Sequence, residues 1–118
     1  MSYDFLTLGL AERQPGSGEF NVLAMKMSDE QIVCLELKKE QIIKNTGEYV
    51  WDIGKKTRVE GYIKKPDSRN NVIYYPSGKM TLLPEEIDLK ELLEDKKTDF
   101  LGFINDTNET TLKFYNYY

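Results

Sequence analysis

The chain has 118 residues, of which 40% are hydrophobic and 31% are charged, and its formal net charge is −4. This balance is typical of one globular domain. It excludes a wholly disordered chain and, since every apolar run is short, a membrane-spanning helix. The sequence has one cysteine and no histidine, which excludes an intrachain disulfide, histidine metal sites and catalytic triads built on histidine.

The first third of the chain predicts three β-strands, because apolar and polar residues alternate with a period of two. The segments YDFLTLGL, FNVLAMKM and QIVCLEL are separated by the turn-forming stretches ERQPGSGE and SDE. The second segment is apolar on both faces, which favours a central position in the sheet. The short connections favour an antiparallel meander, and Cys34 in the third segment is expected to be a buried thiol.

The middle of the chain predicts further strands around turns. EYVWDI is a short strand candidate that places Trp51 in the core or at its edge. In TRVEGYIKK, Val59 and Ile63 alternate with Tyr62 and Lys64, which predicts one core face and one solvent face. NVIYY and KMTLL flank PSG, whose glycine suits a turn, so they are expected to be two separate strands.

One segment predicts an α-helix near residues 85–96. In PEEIDLKELLEDKK, Pro84 suits the first helical position, and the leucines form a narrow apolar stripe. DFLGFI and TTLKFYNYY, which follow, predict a hairpin. The predicted fold class is therefore mainly β (α+β), with a single globular domain over residues 1–118. About eight antiparallel strands curl into a small barrel or sandwich, and the helix covers an open end.

Positive charge is concentrated in residues 55–79, where the net charge is +5, while the rest of the chain carries −9. Lysine and arginine contact phosphates and tyrosine stacks on bases, so this stretch predicts a nucleic-acid-binding surface. The opposing interpretation is a solvated hairpin, because lysines on an edge strand prevent edge-to-edge aggregation. The candidate nucleic-acid-binding residues are Lys55, Lys56, Arg58, Tyr62, Lys64, Lys65, Arg69, Tyr74 and Tyr75.

A second candidate surface combines acidic and aromatic residues in the last third of the sequence. Asp88, Glu91 and Asp95 fall close together on a 3.6-residue repeat, and their like charges favour a cationic partner. The alternative is an ordinary solvated helix face. Tyrosine is enriched at interface hot spots, and three of the eight tyrosines fall in the last four residues. The candidate partner-binding residues are Asp88, Glu91, Asp95, Tyr115, Tyr117 and Tyr118.

These features favour a non-catalytic protein-interaction module, an acidic inhibitor or regulator of the immunity or phage type that occludes a partner protein. No catalytic residue, cofactor or metal ligand is predicted, so the chain is not expected to be an enzyme. Nucleic-acid binding through residues 55–79 is the alternative, and a small-ligand binder is the second alternative. The start MSYDFLTLGLAERQ has no basic n-region, so we expect a cytoplasmic protein without a membrane partner. Contact between the basic and acidic stretches would also allow a homodimer.

Overall fold

The computed structural model describes residues 2–66 and 72–95, which form five β-strands and two short helices. The strands are β1 (Tyr3–Glu12), β2 (Glu19–Lys26), β3 (Gln31–Lys38), β4 (Lys55–Pro66) and β5 (Val72–Glu86). The helices are α1 (Lys39–Ile42), which follows β3 directly, and α2 (Leu89–Asp95), which follows β5. Within the described residues, no helix is long and apolar enough to cross a membrane.

The five strands close into a barrel in the order β1-β2-β3-β5-β4. The β1–β2 and β2–β3 pairs are antiparallel, so the predicted meander is confirmed. β4 pairs antiparallel with both β5 and β1, and its pairing with β1 closes the barrel. β3 and β5 pair in parallel, so the sheet is mixed and not antiparallel throughout. A mainly β barrel is therefore confirmed, whereas the prediction of about eight strands is wrong.

The barrel interior is filled by an apolar cluster to which all five strands contribute. Its strand residues include Phe5, Val22, Leu35, Val59 and Tyr74. The connection between α1 and β4 adds Trp51, which is fully buried and confirms the predicted core position. Because burial of one large apolar side chain contributes about 1.5–3 kcal/mol, this cluster is a main source of stability.

A second apolar cluster lies on the outer face of the barrel and consists of Leu6, Leu8, Leu23, Met25, Cys34 and Ile73. Ile87, Leu89 and Leu92 pack against it, so α2 and the residues before it lie against this outer face. The prediction that the helix covers an open end of the barrel is therefore wrong. The physical reason is that the strand alternation presents a row of apolar side chains outside, and the leucines of α2 bury themselves there. Cys34 is a buried free thiol, as predicted.

Helix α2 begins later than the helix predicted near residues 85–96. Residues 84–86 belong to the end of β5, and the helix begins at Leu89. Asp88 Oδ1 accepts hydrogen bonds from the backbone N–H groups of Lys90 and Glu91, at 3.1 and 3.3 Å. This aspartate therefore caps the helix, and the proline earlier in the sequence does not mark its start.

Two segments predicted as strands around turns have a different structure. VIYY and KMTLL belong to the single strand β5, and PSG between them is an irregularity in the β4–β5 pairing, not a turn. Gly78 has a φ of 76°, a left-handed conformation that glycine adopts without strain. EYVWDI forms no strand; it lies before β4, where Tyr49 makes an isolated bridge with Ile43. The predicted hairpin of DFLGFI and TTLKFYNYY lies outside the described residues.

The alternation of side chains along β4 changes phase in the middle of the strand. The β4–β5 register shifts between Val59 and Gly61. Val59 and Tyr62 consequently pack on the same interior cluster, although they are three positions apart. Ile63 is 56% exposed, so the prediction that it shares a core face with Val59 is wrong. The extra residue of this β-bulge lies on β5, where Gly78 and Lys79 stand opposite Glu60, and beyond it the side chains of β4 face the opposite way from the earlier alternation.

Candidate nucleic-acid interface

Aromatic side chains cluster at the end of the barrel where β1 begins and β2 and β4 end. The rings of Tyr3 and Tyr62 lie edge to face with centroids 4.8 Å apart, and those of Tyr62 and Tyr74 are 5.1 Å apart. Phe5 lies beside them, with its centroid 6.0 Å from that of Tyr62 and 6.4 Å from that of Tyr74. Edge-to-face contacts of this kind hold the rings in fixed relative orientations.

Two lysine ammonium groups lie over these rings. Lys26 Nζ is 5.4 Å from the Tyr62 centroid and 5.9 Å from the Tyr74 centroid. Lys64 Nζ is 5.3 Å from the Tyr74 centroid. These are cation–π distances, and the contacts bring positive charge to an aromatic surface. We call Tyr3, Tyr62, Tyr74, Lys26 and Lys64 together the tyrosine–lysine end.

Lys26 is the most enclosed charge of the tyrosine–lysine end, with only 12% of its side chain exposed. Its Nζ lies 3.4 Å from Oδ2 of Asp29. The hydrogen bond with the Tyr62 side chain raises the pKa of Lys26; burial opposes this rise, and the Asp29 carboxylate adds to it. The net shift is upward, so Lys26 is a cation at neutral pH.

The outer face of β4 and β5 adjoins this end and adds a second aromatic contact. Lys65 Nζ lies 5.6 Å from the Tyr75 centroid, and the Tyr75 hydroxyl donates to Glu36 Oε2 at 3.4 Å. Ile63 is the register partner of Tyr75 across the β4–β5 pair. We call Ile63, Lys65 and Tyr75 the outer strip. It offers a ring, an exposed apolar side chain and a cation side by side.

The other candidate cations of β4 are engaged by carboxylates. Arg58 binds Asp4 in a two-point contact, with Nε to Oδ1 at 2.9 Å and Nη2 to Oδ2 at 3.1 Å. Lys56 Nζ is 3.0 Å from a Glu85 oxygen. Lys55 also lies among carboxylates, within 3.9 Å of oxygens of both Asp52 and Glu86. The predicted basic surface is therefore divided, and its paired part is not available to a phosphate without breaking ion pairs.

Of the nine candidate nucleic-acid-binding residues, the structure brings Tyr62, Lys64 and Tyr74 together at the tyrosine–lysine end. Lys65 and Tyr75 form a separate pair on the outer face of the barrel. Lys55, Lys56 and Arg58 lie on β4 but away from this group, on the other side of the register shift. Arg69 lies outside the described residues.

The candidate partner-binding residues are not gathered into a site within the described residues. Asp88 is used as the cap of α2, and Glu91 is exposed on the helix. The side chain of Asp95 lies outside the described part of the structure, as do Tyr115, Tyr117 and Tyr118. The prediction of a partner surface there stays a prediction.

Sequence reasoning missed Tyr3, Lys26 and Asp29 as members of the site. A signal for Lys26 was present, because it continues the alternation of Phe20, Val22 and Ala24. A charged residue at an inward-facing position of an apolar strand indicates either an end of the barrel or a functional group. Tyr3 offered no such signal, since its position beside Tyr62 depends on the pairing of β1 with β4 that closes the barrel. Asp29 follows Lys26 by three positions in the β2–β3 turn, and its role became visible only once Lys26 was placed in the site.

Within the described residues, no group of three or more acidic, cysteine or histidine side chains has an arrangement suited to a metal ion. Comparison of the chain with protein-family models, with curated proteins and with solved structures finds no match.

Proposed function

We propose that this protein binds single-stranded nucleic acid at the tyrosine–lysine end and the outer strip. One observation supports the proposal above the others: Lys26, Lys64 and Lys65 each hold the ammonium group between 5.3 and 5.6 Å from a tyrosine ring centroid. Proteins that bind single strands combine cations that contact the phosphates with aromatic rings that stack on the bases. Both groups lie side by side here.

The chemistry favours a single strand over a duplex. Stacking on a tyrosine requires a base whose face is free, and bases in a duplex already stack on each other. The rings of Tyr3 and Tyr62 are half-buried at the barrel end, and Tyr75 is half-buried on the outer strip. Each of these rings is thus partly accessible, while the barrel fixes its orientation.

The architecture supports the proposal by analogy. Small five-stranded barrels include the oligonucleotide- and oligosaccharide-binding class, which binds ligands on the face of strands 2 and 3 and the adjoining loops. In this chain the outer side of β2 contributes Leu23 and Met25 to the cluster under α2. The tyrosine–lysine end and the outer strip are therefore the better candidates. A shared architecture does not by itself establish a function, so the proposal depends on the site residues.

The net charge of −4 does not oppose this proposal, because the cations are unequally placed. Lys55, Lys56 and Arg58 are neutralised locally by carboxylates. Within the part of the chain that the structure describes, Lys64 and Lys65 form no ion pair. Positive charge is thereby left at one end of β4, and screening at physiological salt limits repulsion from acidic residues farther than about 8 Å away.

The protein-interaction hypothesis stays a second proposal without a specific observation that favours it. Among the acidic candidate residues of this hypothesis, Asp88 caps helix α2, because its Oδ1 accepts hydrogen bonds from two backbone N–H groups. Its tyrosine part lies outside the described residues. It is tested by the same variants, since a partner held by Glu91 would not respond to changes at Lys64.

Binding can be measured by fluorescence anisotropy with a labelled oligothymidylate of about 20 nucleotides, which exceeds one site on a small barrel. A duplex of the same length serves as the comparison ligand. We expect the single strand to bind more tightly and its affinity to fall steeply between about 50 and about 200 mM salt, because phosphate contacts release counterions.

The matched variants are K64E/K65E and K39E/K44E. Both change the net charge by the same amount, but Lys39 and Lys44 are exposed on and after α1, beyond the far end of β3. We expect K64E/K65E to weaken binding at least about tenfold and K39E/K44E less than about threefold. Equal losses would mean non-specific attraction, and no binding by the unchanged protein at low salt would overturn the proposal.

A further inference from the structure

Lys26 is an unusual residue for the interior of a small barrel. It ends β2 on the inward-facing alternation of Val22 and Ala24, and 12% of its side chain is exposed. Its ammonium lies over two neighbouring phenol rings, at 5.4 Å from the Tyr62 centroid and 5.9 Å from the Tyr74 centroid. Lysine is almost never so enclosed unless it is paired, because transfer of an ammonium group out of water is costly.

The carboxylate that pairs with Lys26 is held in place independently of the lysine. Asp29 Oδ1 accepts a hydrogen bond from the backbone N–H of Gln31 at 3.1 Å, which fixes the side chain in the β2–β3 turn. The other oxygen, Oδ2, lies 3.4 Å from Lys26 Nζ. Charge-assisted N–H···O bonds are normally about 2.7–2.9 Å long, so this contact is a loose one.

A loose, partly exposed ion pair leaves the ammonium able to bind another anion. Asp29 is 42% exposed, so the pair lies at the boundary between the barrel interior and solvent. An ammonium group has three N–H donors; the Tyr62 hydroxyl and Asp29 are the polar partners of this one, and Tyr74 is near enough to act on its charge. Lys64 Nζ lies over the same Tyr74 ring at 5.3 Å, so two cations converge on one aromatic side chain.

We infer that the Lys26 ammonium contacts a backbone phosphate of the bound single strand and that Asp29 competes with that phosphate for the ammonium. This inference rests on the proposed nucleic-acid binding and adds an intramolecular competitor to it. In the free protein the carboxylate neutralises the enclosed charge. In the complex the phosphate takes its place, so the protein binds more weakly than its cations alone would allow.

The substitution Asp29→Asn isolates this competition. The asparagine carbonyl keeps the acceptor for the Gln31 N–H, while an uncharged NH2 donor replaces the Oδ2 that faces Lys26, so the competing acceptor is lost with its charge. Glu30→Gln is the control, because it removes the same charge from the next residue of the same turn. We expect D29N to tighten oligothymidylate binding about three- to tenfold at low salt and E30Q to change it less than about twofold.

A double-mutant cycle shows whether the effect of Asp29 acts through Lys26. We expect the gain from D29N to vanish in a K26M background, since no ammonium is left for which to compete. K26M should also lower the slope of log affinity against log salt by about 0.7, the value for one phosphate on a single strand, whereas K26R should preserve it. Thermal unfolding of each variant identifies those that do not fold, and K26Q, which is also uncharged, provides the readout if K26M is one of them.

The outcomes separate this inference from the proposed function. If D29N and E30Q have equal effects, or if the gain from D29N persists without Lys26, the competition is overturned. The proposed function still stands in that case, provided that the unchanged protein binds the single strand and K64E/K65E weakens it. If the unchanged protein binds no single strand at low salt, both are overturned.

Discussion

The two ends of β4 carry similar basic residues in different surroundings. Near its start, Lys56 and Arg58 lie against the carboxylates of Glu85 and Asp4. Near its end, Lys64 and Lys65 lie over the rings of tyrosines on β5. The register shift after Val59 separates the two ends. Positively charged side chains on one strand thus divide into a carboxylate-paired group and an aromatic-paired group.

This difference shows that the density of positive charge in a sequence does not locate a binding surface. An exposed ion pair contributes little to stability and already satisfies its cation. A lysine over a tyrosine keeps a net positive charge beside a surface on which a base can stack. The following experiments test whether the two ends of β4 differ in function as they differ in surroundings.

The largest effect is expected for Phe5→Ala, which removes the buried ring beside Tyr62 and Tyr74. Deletion of a fully buried phenylalanine side chain costs about 3–5 kcal/mol, through lost burial and a residual cavity. Urea unfolding measures the change in the free energy of unfolding. Tyr49→Ala is the control, because Tyr49 is 51% exposed and should cost less than about 1 kcal/mol. Similar losses for both variants would contradict the assignment of Phe5 to the support of the tyrosine–lysine end.

A smaller loss of stability is expected for Gly78→Ala. Gly78 lies on β5, at the irregularity in its pairing with the middle of β4. A Cβ on Gly78 would lie 2.7 Å from Oε2 and 2.8 Å from Cβ of Glu60, at a φ of 76°. The left-handed backbone and the clash together should cost about 2–3 kcal/mol.

Gly16→Ala is the matched control for Gly78→Ala, and urea unfolding measures both variants. Gly16 has a φ of 79° but no atom within 4 Å of its added Cβ. It should therefore show the conformational cost alone, about 1–2 kcal/mol. Equal losses for the two variants would show that the contact with Glu60 does not constrain the β4–β5 register.

A loss of binding is expected for Tyr75→Ala on the outer strip, together with some loss of stability, because the ring packs against the outer apolar cluster. If a base stacks on this ring, its loss should weaken single-strand binding by about 1–3 kcal/mol, or roughly 5- to 160-fold. Tyr75→Phe keeps the ring and loses only the hydroxyl that donates to Glu36. We expect anisotropy titrations to give near-native affinity for Tyr75→Phe. An equal loss for the two variants would indicate that the hydroxyl, not the stacking surface, matters.

The parts of the fold that follow from local sequence were predictable. The strands β1 to β3 alternate regularly and are joined by short turns, so their order and antiparallel pairing could be inferred. A barrel was one of the two architectures predicted, beside a sandwich, although the predicted number of strands was wrong. The parallel β3–β5 contact was not predictable, because it joins segments distant in sequence.

The errors arise where a local signal has two structural meanings. PSG is compatible with a turn and with a bulge, and the choice depends on whether β4 continues as its partner. The same choice determines which side Tyr62 and Ile63 face. Because Gly78 was interpreted as a turn residue, the predicted faces of the second half of β4 were the reverse of those in the structure.

The types of side chain in the candidate site were predictable from the sequence, but the particular residues that form it were not. Tyrosines and lysines in residues 55–79 indicated stacking and phosphate contact. The sequence did not indicate which lysines are neutralised, because Arg58 and Asp4 are separated by 54 positions and meet only when β4 closes on β1.

The smallest effect is expected for Arg58→Met, which breaks the two-point contact with Asp4 near the start of β4. The pair is exposed to solvent, and exposed ion pairs contribute little to stability. We expect the unfolding midpoint and the single-strand affinity both to stay close to native, even though this substitution removes one positive charge from the predicted basic stretch. Lys64→Met removes the same charge from the other end of β4 and should lower both the affinity and its salt dependence, because it removes a phosphate contact. Anisotropy titrations of the two variants, at two salt concentrations, measure this contrast. If Arg58→Met weakened binding as much as Lys64→Met, the whole basic stretch would act as one surface. The distinction between carboxylate-paired and aromatic-paired cations would then have no functional meaning.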